Sequence, residues 1–237
     1  MNFKIVIAIL IILIIILLFY KYYINKLQDE LFYNVDNVYP ELRKIHKLRD
    51  KIMKEMANID NWNDWPEKEL YDNNGTWKIY PLYAFDVWVT NNCKSLPTLT
   101  KFIQSTPNIK LAILSKLSPG MKLVPHRGWG KHSNNVLRAH YGLNVPENKC
   151  YIGVSDDNRE EKQYHKNDDW IVFDDSKNHM AENTSDHDRI VLIIDMERPD
   201  YIKKGSSKIG DTKELLEIIN YFKKRNIDIK QINNPLI

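Results

Sequence analysis

Cysteine is nearly lacking, with Cys93 and Cys150 the only two. That is too few for a disulfide framework or a four-cysteine zinc module, and one bridge between them is neither shown nor excluded by the sequence. No sign of charge dominates either. The 34 basic and 31 acidic side chains leave a formal +3, which disfavours a protein held to a polyanion mainly by charge and so gives no case for nucleic acid as a partner. Internal repeats are absent, and so is low-complexity sequence beyond the N-terminus. What is present is a chain of 237 residues, 43% hydrophobic and 11% aromatic, too apolar for disorder and long enough for one ordinary domain with an accessory segment.

The longest apolar run is Ile5 to Tyr20, sixteen residues without a charge, against the roughly 20 a bilayer core needs. Lys4 before it and Lys21, Tyr22 and Tyr23 after it supply snorkelling and headgroup-level side chains that extend the span. No small residue follows the run where a leader peptidase would cut, so the expectation is an uncleaved, single-pass signal anchor, with the side of the membrane left open by balanced flanking lysines.

Leu42, Ile45, Leu48, Ile52, Met53 and Met56 recur at three- and four-residue steps and predict an amphipathic helix after Pro40, packed on a sheet. Residues 62–75 are loop-like, and Pro97 opens a short helix. From Ile109 onward short apolar runs alternate with turns: KLAILSKL, MKLVP, NVLRAHYGLNVP, CYIGVS, DWIVFDD and RIVLIIDM. Six or more strands at this spacing predict a mainly β chain, an antiparallel sandwich or jelly roll with flanking helices. A last helix is expected from Asp211, where Asp-Thr-Lys-Glu214 has the form of a capping box. Four segments follow: an anchor over 1–26, a juxtamembrane helical segment over 27–75, the β domain over 76–205, and a terminal helix and tail over 206–237.

His126, in Pro-His-Arg-Gly, and His179 each stand at the end of a predicted strand. In a jelly roll they could converge on the open mouth, and a pair of imidazoles with open positions is what a mononuclear non-haem iron site uses; an ordinary hydrogen-bonding role is the alternative. Arg138 and His140 lie two apart in a strand and share a face. Arg189 opens a strand that must otherwise be buried, so it needs either a carboxylate from outside or an internal ion pair with Asp174, Asp175 or Asp188.

Taken together, PGMKLVPHRG (119–128), LRAHYGLNVP (137–146), DWIVFDDSKNHMAEN (169–183) and RIVLIIDMERP (189–199) resemble, in order and spacing, the aspartyl/asparaginyl β-hydroxylase family. The resemblance implies a double-stranded β-helix, cupin-like, carrying an iron(II)- and 2-oxoglutarate-dependent dioxygenase that consumes O2. It implies that His126 and His179 ligate the iron and that Arg189 grips the distal carboxylate of 2-oxoglutarate, with Ser115, Arg138 and His140 as its further contacts. Gly128 stands where a conventional triad carries Asp or Glu, which implies water in place of the carboxylate. The ending NTSDHDRIVLIIDMERP also resembles the membrane-anchored bacterial branch that hydroxylates the acyl chain of lipid A. An Asp/Asn-type peptide side chain is the narrowly favoured substrate and a fatty acyl chain the alternative; a catalytically silent binding module and a zinc or manganese cupin are the remaining rivals. Asn74 and Asn183 each begin a glycosylation sequon.

Overall fold

The computed structural model describes residues 3–71 and 75–224. In chain order its elements begin with α1 (Phe3–Lys26), β1 (Phe32–Tyr33), α2 (Val35–Val38), a 3-10 helix over Pro40–Leu48, α3 (Arg49–Met56) and β2 (Asn63–Asp64). Next come β3 (Trp77–Ala84), β4 (Val87–Trp88), α4 (Thr90–Ser95), α5 (Pro97–Ser105), β5 (Ile109–Leu117), α6 (Gly130–Ser133) and β6 (Val136–Asn144). The chain then forms β7 (Cys150–Ser155), β8 (Glu160–Tyr164), β9 (Trp170–Phe173), β10 (Asn178–Asn183), β11 (Arg189–Glu197) and α7 (Lys213–Lys224).

Two antiparallel sheets result. The larger runs β1-β9-β6-β11-β5-β3-β2, with β4 joined to β3, and the smaller runs β10-β7-β8. Ile152, Val154 and Ala181 of the small sheet share one apolar cluster with Leu117, Phe173, Val191 and Ile193 of the large one, so the core lies between the layers as in a double-stranded β-helix. The bridge between His126 and His179 joins the loop after β5 to β10 at one end of this sandwich. The expected mainly β, jelly-roll architecture with flanking helices is therefore what the chain adopts.

Several local expectations differ from the structure. The periodicity over 40–56 is kept, with Leu42, Ile45, Ile52 and Met56 buried, but its first half winds as a 3-10 helix and only the second half is α-helical. The run MKLVP forms isolated bridges through Lys122 and Leu123 in place of a strand. Strand β8 carries Glu-Glu-Lys-Gln-Tyr, exposed at every position; it has no apolar alternation and owes its form to pairing with β7. At α7 the cap is Thr212, whose Oγ1 accepts from Leu215 N at 3.0 Å, while Asp211, the expected cap, pairs with Lys131 at 2.5 Å. Asn74 lies outside the described residues. Asn183 is fully buried, its amide donating to Leu117 O, Ser118 O and His187 O, so the folded chain offers no glycosylation acceptor there. Cys93 and Cys150 are both free and buried.

The chain divides into two units, one of residues 1–29 with 199–204 and one of residues 30–198 with 205–237. In the first, α1 contains the window Ile5–Tyr22, with mean hydropathy 3.0 and no burial, which is long and apolar enough to cross a membrane. Gln28 and Ile202 form a parallel bridge, and Lys203 pairs with Asp29 at 2.8 Å. In the second, a buried bidentate pair holds Asp174, just beyond β9, to Arg198, just beyond β11, at 2.6 and 3.0 Å. Such a pair costs desolvation, but once formed, removing either partner strands the other charge.

Candidate active site

Strand alternation assembles the site from the large sheet. Along β11, Arg189, Ile193 and Asp195 fall on one face; β6 places Arg138 opposite Asp195 and His140 opposite Ile193, and β5 places Ser115 opposite Val191. The small sheet contributes His179, and the loop after β5 contributes His126. All six residues singled out in the sequence, Ser115, His126, Arg138, His140, His179 and Arg189, line one pocket, together with Trp77. The pocket is narrow and opens to solvent at its mouth.

The two histidines are prepared in the same way. His126 Nδ1 contacts Val124 O at 2.7 Å and His179 Nδ1 contacts Lys177 O at 3.0 Å. A carbonyl can only accept, so each Nδ1 carries the proton and each Nε2 presents a lone pair, the arrangement a metal-ligating imidazole requires. The ring centroids are 4.4 Å apart. Burial, helped by the charge of Arg138, lowers the pKa of His179 to about 4, and burial followed by its neighbour His179 lowers that of His126, so both are neutral and ligand-ready at neutral pH.

Asp175 is the neighbour that sequence reasoning had only as a possible partner for an arginine. Its carboxylate is fully buried and lies 3.4 Å from His179 Nε2, lone pairs facing lone pair. Among the described residues it pairs with Arg138 Nη1 at 2.5 Å, and neither oxygen has a hydrogen bond of good geometry. Burial raises its pKa against the pull of Arg138. A cation between imidazole and carboxylate relieves this arrangement, and the donor set of two neutral imidazoles with an outer carboxylate fits a divalent metal with open positions. No group of three or more His, Cys, Asp or Glu in ligand geometry occurs among the described residues. The space usually filled by a third ligand is taken: a Cβ at Gly128 would overlap the Asp175 carboxylate and approach Ser133 Cβ to 2.8 Å. Gly128→Ala should therefore lower stability by about 1–3 kcal/mol through overpacking. Gly128→Asp, which would complete a conventional triad, should lower turnover instead of raising it. Thermal melting and succinate formation check the two.

The arginines divide the work. Arg138 meets Asp195 through Nε and Nη2, both at 2.8 Å, a direct cross-strand pair. His132 Nε2 also reaches Asp195, at 2.7 Å. Burial pushes the Asp195 carboxyl up, but Arg138 and His132 outweigh it and hold the group well below the usual range. The other carboxylates named as internal partners are engaged elsewhere, Asp174 with Arg198 and Asp188 with Lys116 at 3.9 Å. Among the described residues Arg189 is left with none. It is 2% exposed, its Nη1 has no hydrogen-bond partner, and burial depresses its pKa to about 10. A buried guanidinium still charged at pH 7 is chemically suited to receive a carboxylate. Beside it, Ser115 Oγ accepts from Trp77 Nε1 at 3.1 Å, which leaves its hydroxyl proton available to a ligand.

Trp77, Asp195 and His165 were missed. For Asp195 the signal was available, since it shares the alternation that begins at Arg189 six residues earlier; Trp77 and His165 sit in segments without a strand pattern.

The buried histidines set an acid limit. His126, His140, His165 and His179 all have lowered pKa values, so the unfolded chain, titrating near 6.5, binds protons the native state refuses. Stability then falls as pH drops from 6.5 toward about 4, the value for His179. His179 alone contributes on the order of 3 kcal/mol to this loss. Denaturant midpoints of the metal-free protein across this window, with His179→Gln showing a shallower fall, check it.

The profile of the Aspartyl/Asparaginyl beta-hydroxylase family matches residues 43–199. An ornithine lipid ester-linked acyl 2-hydroxylase of Rhizobium tropici is 27% identical over 195 residues, 82% of this chain and 66% of that protein. The aspartyl/asparaginyl beta-hydroxylase of Mus musculus is 30% identical over 145 residues, 57% of this chain and 18% of that protein. The chain thus spans under two thirds of either relative. Among solved structures, an oxidoreductase of the 2OG-Fe(II) oxygenase family from Burkholderia pseudomallei aligns with TM-score 0.45 and 11% identity, covering 68% of this chain and 81% of that one.

Proposed function

We propose that this chain, which belongs to the aspartyl/asparaginyl β-hydroxylase family, is an iron(II)- and 2-oxoglutarate-dependent dioxygenase anchored to a membrane by α1. The observation that carries the proposal is the meeting, in one pocket, of two imidazoles with free Nε2 lone pairs and a buried guanidinium without an anion. His126 and His179 hold the metal. Arg189 receives the distal carboxylate of 2-oxoglutarate in a bidentate pair, and Ser115 and His140 add donors. Arg138 acts mainly by fixing Asp175 and Asp195, to both of which it is paired. Asp175, 3.4 Å from His179 Nε2 and packed against Gly128, would supply a hydrogen-bond acceptor beside the metal position.

When bound, iron(II) with 2-oxoglutarate supplies hydroxylation of an unactivated C–H by O2, with succinate and carbon dioxide as the other products. The protein's own share is to bind, to orient and to exclude water. Leu123, Ile152, Phe173, Ala181 and Ile193 give the pocket apolar walls, which strengthen the Arg189 pair by lowering the local dielectric.

The substrate best supported is a lipid acyl chain. The relative named for an acyl hydroxylase matches 82% of the chain, including sequence outside the β core, and the window Ile5–Tyr22 suits a protein held where lipids are. An Asp/Asn-type side chain in a peptide or protein is the second reading, favoured by the 30% identity to the mouse enzyme. The test is incubation of the detergent-solubilised protein with iron(II), 2-oxoglutarate and ascorbate, with a total lipid extract in one arm and an Asp- and Asn-containing peptide library in the other. Gain of one oxygen by lipid acyl chains supports the first reading. Gain confined to peptides replaces it with the second.

A further inference from the structure

His165 is the single buried residue between Glu160 and Asp169. Its neighbours on both sides face solvent, yet its side chain turns inward and lies with ring centroids 5.5 Å from His140, the planes 12° apart. His165 Nε2 and His140 Nδ1 are 3.2 Å apart, and the outer nitrogens of the pair, His140 Nε2 and His165 Nδ1, have no partner among the described residues. The backbone N–H of His165 donates to Cys150 O at 2.9 Å, fixing the residue against β7. Burial, with the charge of Arg189 adding to it, keeps both rings neutral.

Two neutral imidazoles share one hydrogen bond, and its direction decides what the pocket meets. If His140 donated from Nδ1, its Nε2 would show a lone pair toward the pocket, and His165 would bury an N–H with no acceptor, the rarer and costlier of the two unsatisfied groups. If His165 donates, the nitrogen left unmatched on His165 is only an acceptor, and the remaining N–H moves to His140 Nε2 on the pocket lining, where water or a bound carboxylate can accept it. An anion beside Arg189 favours the second arrangement again.

Building on the reading of the pocket as a 2-oxoglutarate site, we infer that His165 is a positioning residue that fixes His140 as its Nε2–H tautomer, so that a neutral imidazole donates to the cosubstrate carboxylate beside Arg189. His165→Phe keeps an aromatic ring and removes the donor. His165→Gln puts an amide N–H near the place of Nε2.

The test has two independent readouts on the full chain in detergent. The first is 15N NMR of histidine-labelled protein, without metal or ligand. The expected result is a protonated Nε2 and bare Nδ1 on both His140 and His165; a proton on His140 Nδ1 overturns the inference. The second is calorimetric titration of 2-oxoglutarate into Mn(II)-loaded protein. His165→Phe should weaken 2-oxoglutarate binding about tenfold, the worth of one hydrogen bond near 1.4 kcal/mol, with Mn(II) affinity unchanged, and His165→Gln should recover most of the loss. Unchanged 2-oxoglutarate binding in His165→Phe, or equal weakening of Mn(II) binding, overturns it. If His165→Phe does not fold, the tautomer and the His165→Gln titration still decide. Wild-type protein that binds no 2-oxoglutarate would refute the proposed function, and the tautomer would then decide the role of His165 by itself.

Discussion

Arg189→Ala is expected to weaken 2-oxoglutarate binding on the order of 10²- to 10³-fold, because a buried bidentate carboxylate pair loses about 3–5 kcal/mol when one partner is truncated. Metal binding should persist, since neither histidine contacts the guanidinium through any hydrogen bond. A second consequence separates a ligand-binding arginine from a structural one. Without its anion, Arg189 is a charge held in the interior at a cost, shown by burial depressing its pKa to about 10. That cost applies at every pH below about 10, where the group is charged in both the folded and the unfolded chain. Arg189→Leu should therefore leave the ligand-free protein as stable as the wild type or more stable, while abolishing the stabilisation that 2-oxoglutarate gives. Melting curves with and without 2-oxoglutarate measure both effects. Loss of stability in the ligand-free variant would mark the arginine as structural.

His179→Ala is expected to remove metal-dependent succinate formation altogether. The imidazole is one of two donors, and a remaining single histidine with waters has far less hold on the ion. The variant should still fold, because among the described residues the His179 side chain hydrogen-bonds only to the carbonyl of Lys177 and its loss relieves the lone-pair opposition with Asp175. Equilibrium dialysis with Mn(II) and a succinate assay are the measurements. Succinate formation at the wild-type rate in His179→Ala would exclude this histidine from the metal site.

The sequence made the β-strands with apolar alternation legible, since β5, β6, β7 and β11 are stabilised by the burial their pattern announces. It did not reveal β8, whose exposed charged residues have no periodicity and which pairs along the free edge of β7. Nor did it reveal that β3 carries Trp77 into the pocket, a role set by its register against Leu117 of β5. The six candidate site residues could be picked out because strand ends and the i, i+2 rule place them on one face, and because the family resemblance ordered them. The division of labour between Arg138 and Arg189 was not legible. It depends on Asp195 lying directly opposite Arg138 across the β6–β11 ladder, a register fact, and on Asp175 reaching back into the space that Gly128 leaves. His165 was invisible for a similar reason: nothing in YHKND distinguishes a buried histidine from an exposed one.

The central claim, that His126 and His179 hold a metal beside a 2-oxoglutarate site completed by Arg189, is tested most directly by one titration. Purified full-length protein is titrated anaerobically with iron(II) in the presence and absence of 2-oxoglutarate, and succinate is measured once oxygen is admitted. The account predicts one iron per chain, binding tightened by 2-oxoglutarate, and succinate that requires iron, 2-oxoglutarate and oxygen together. Iron bound at one per chain with no 2-oxoglutarate binding and no succinate would contradict it.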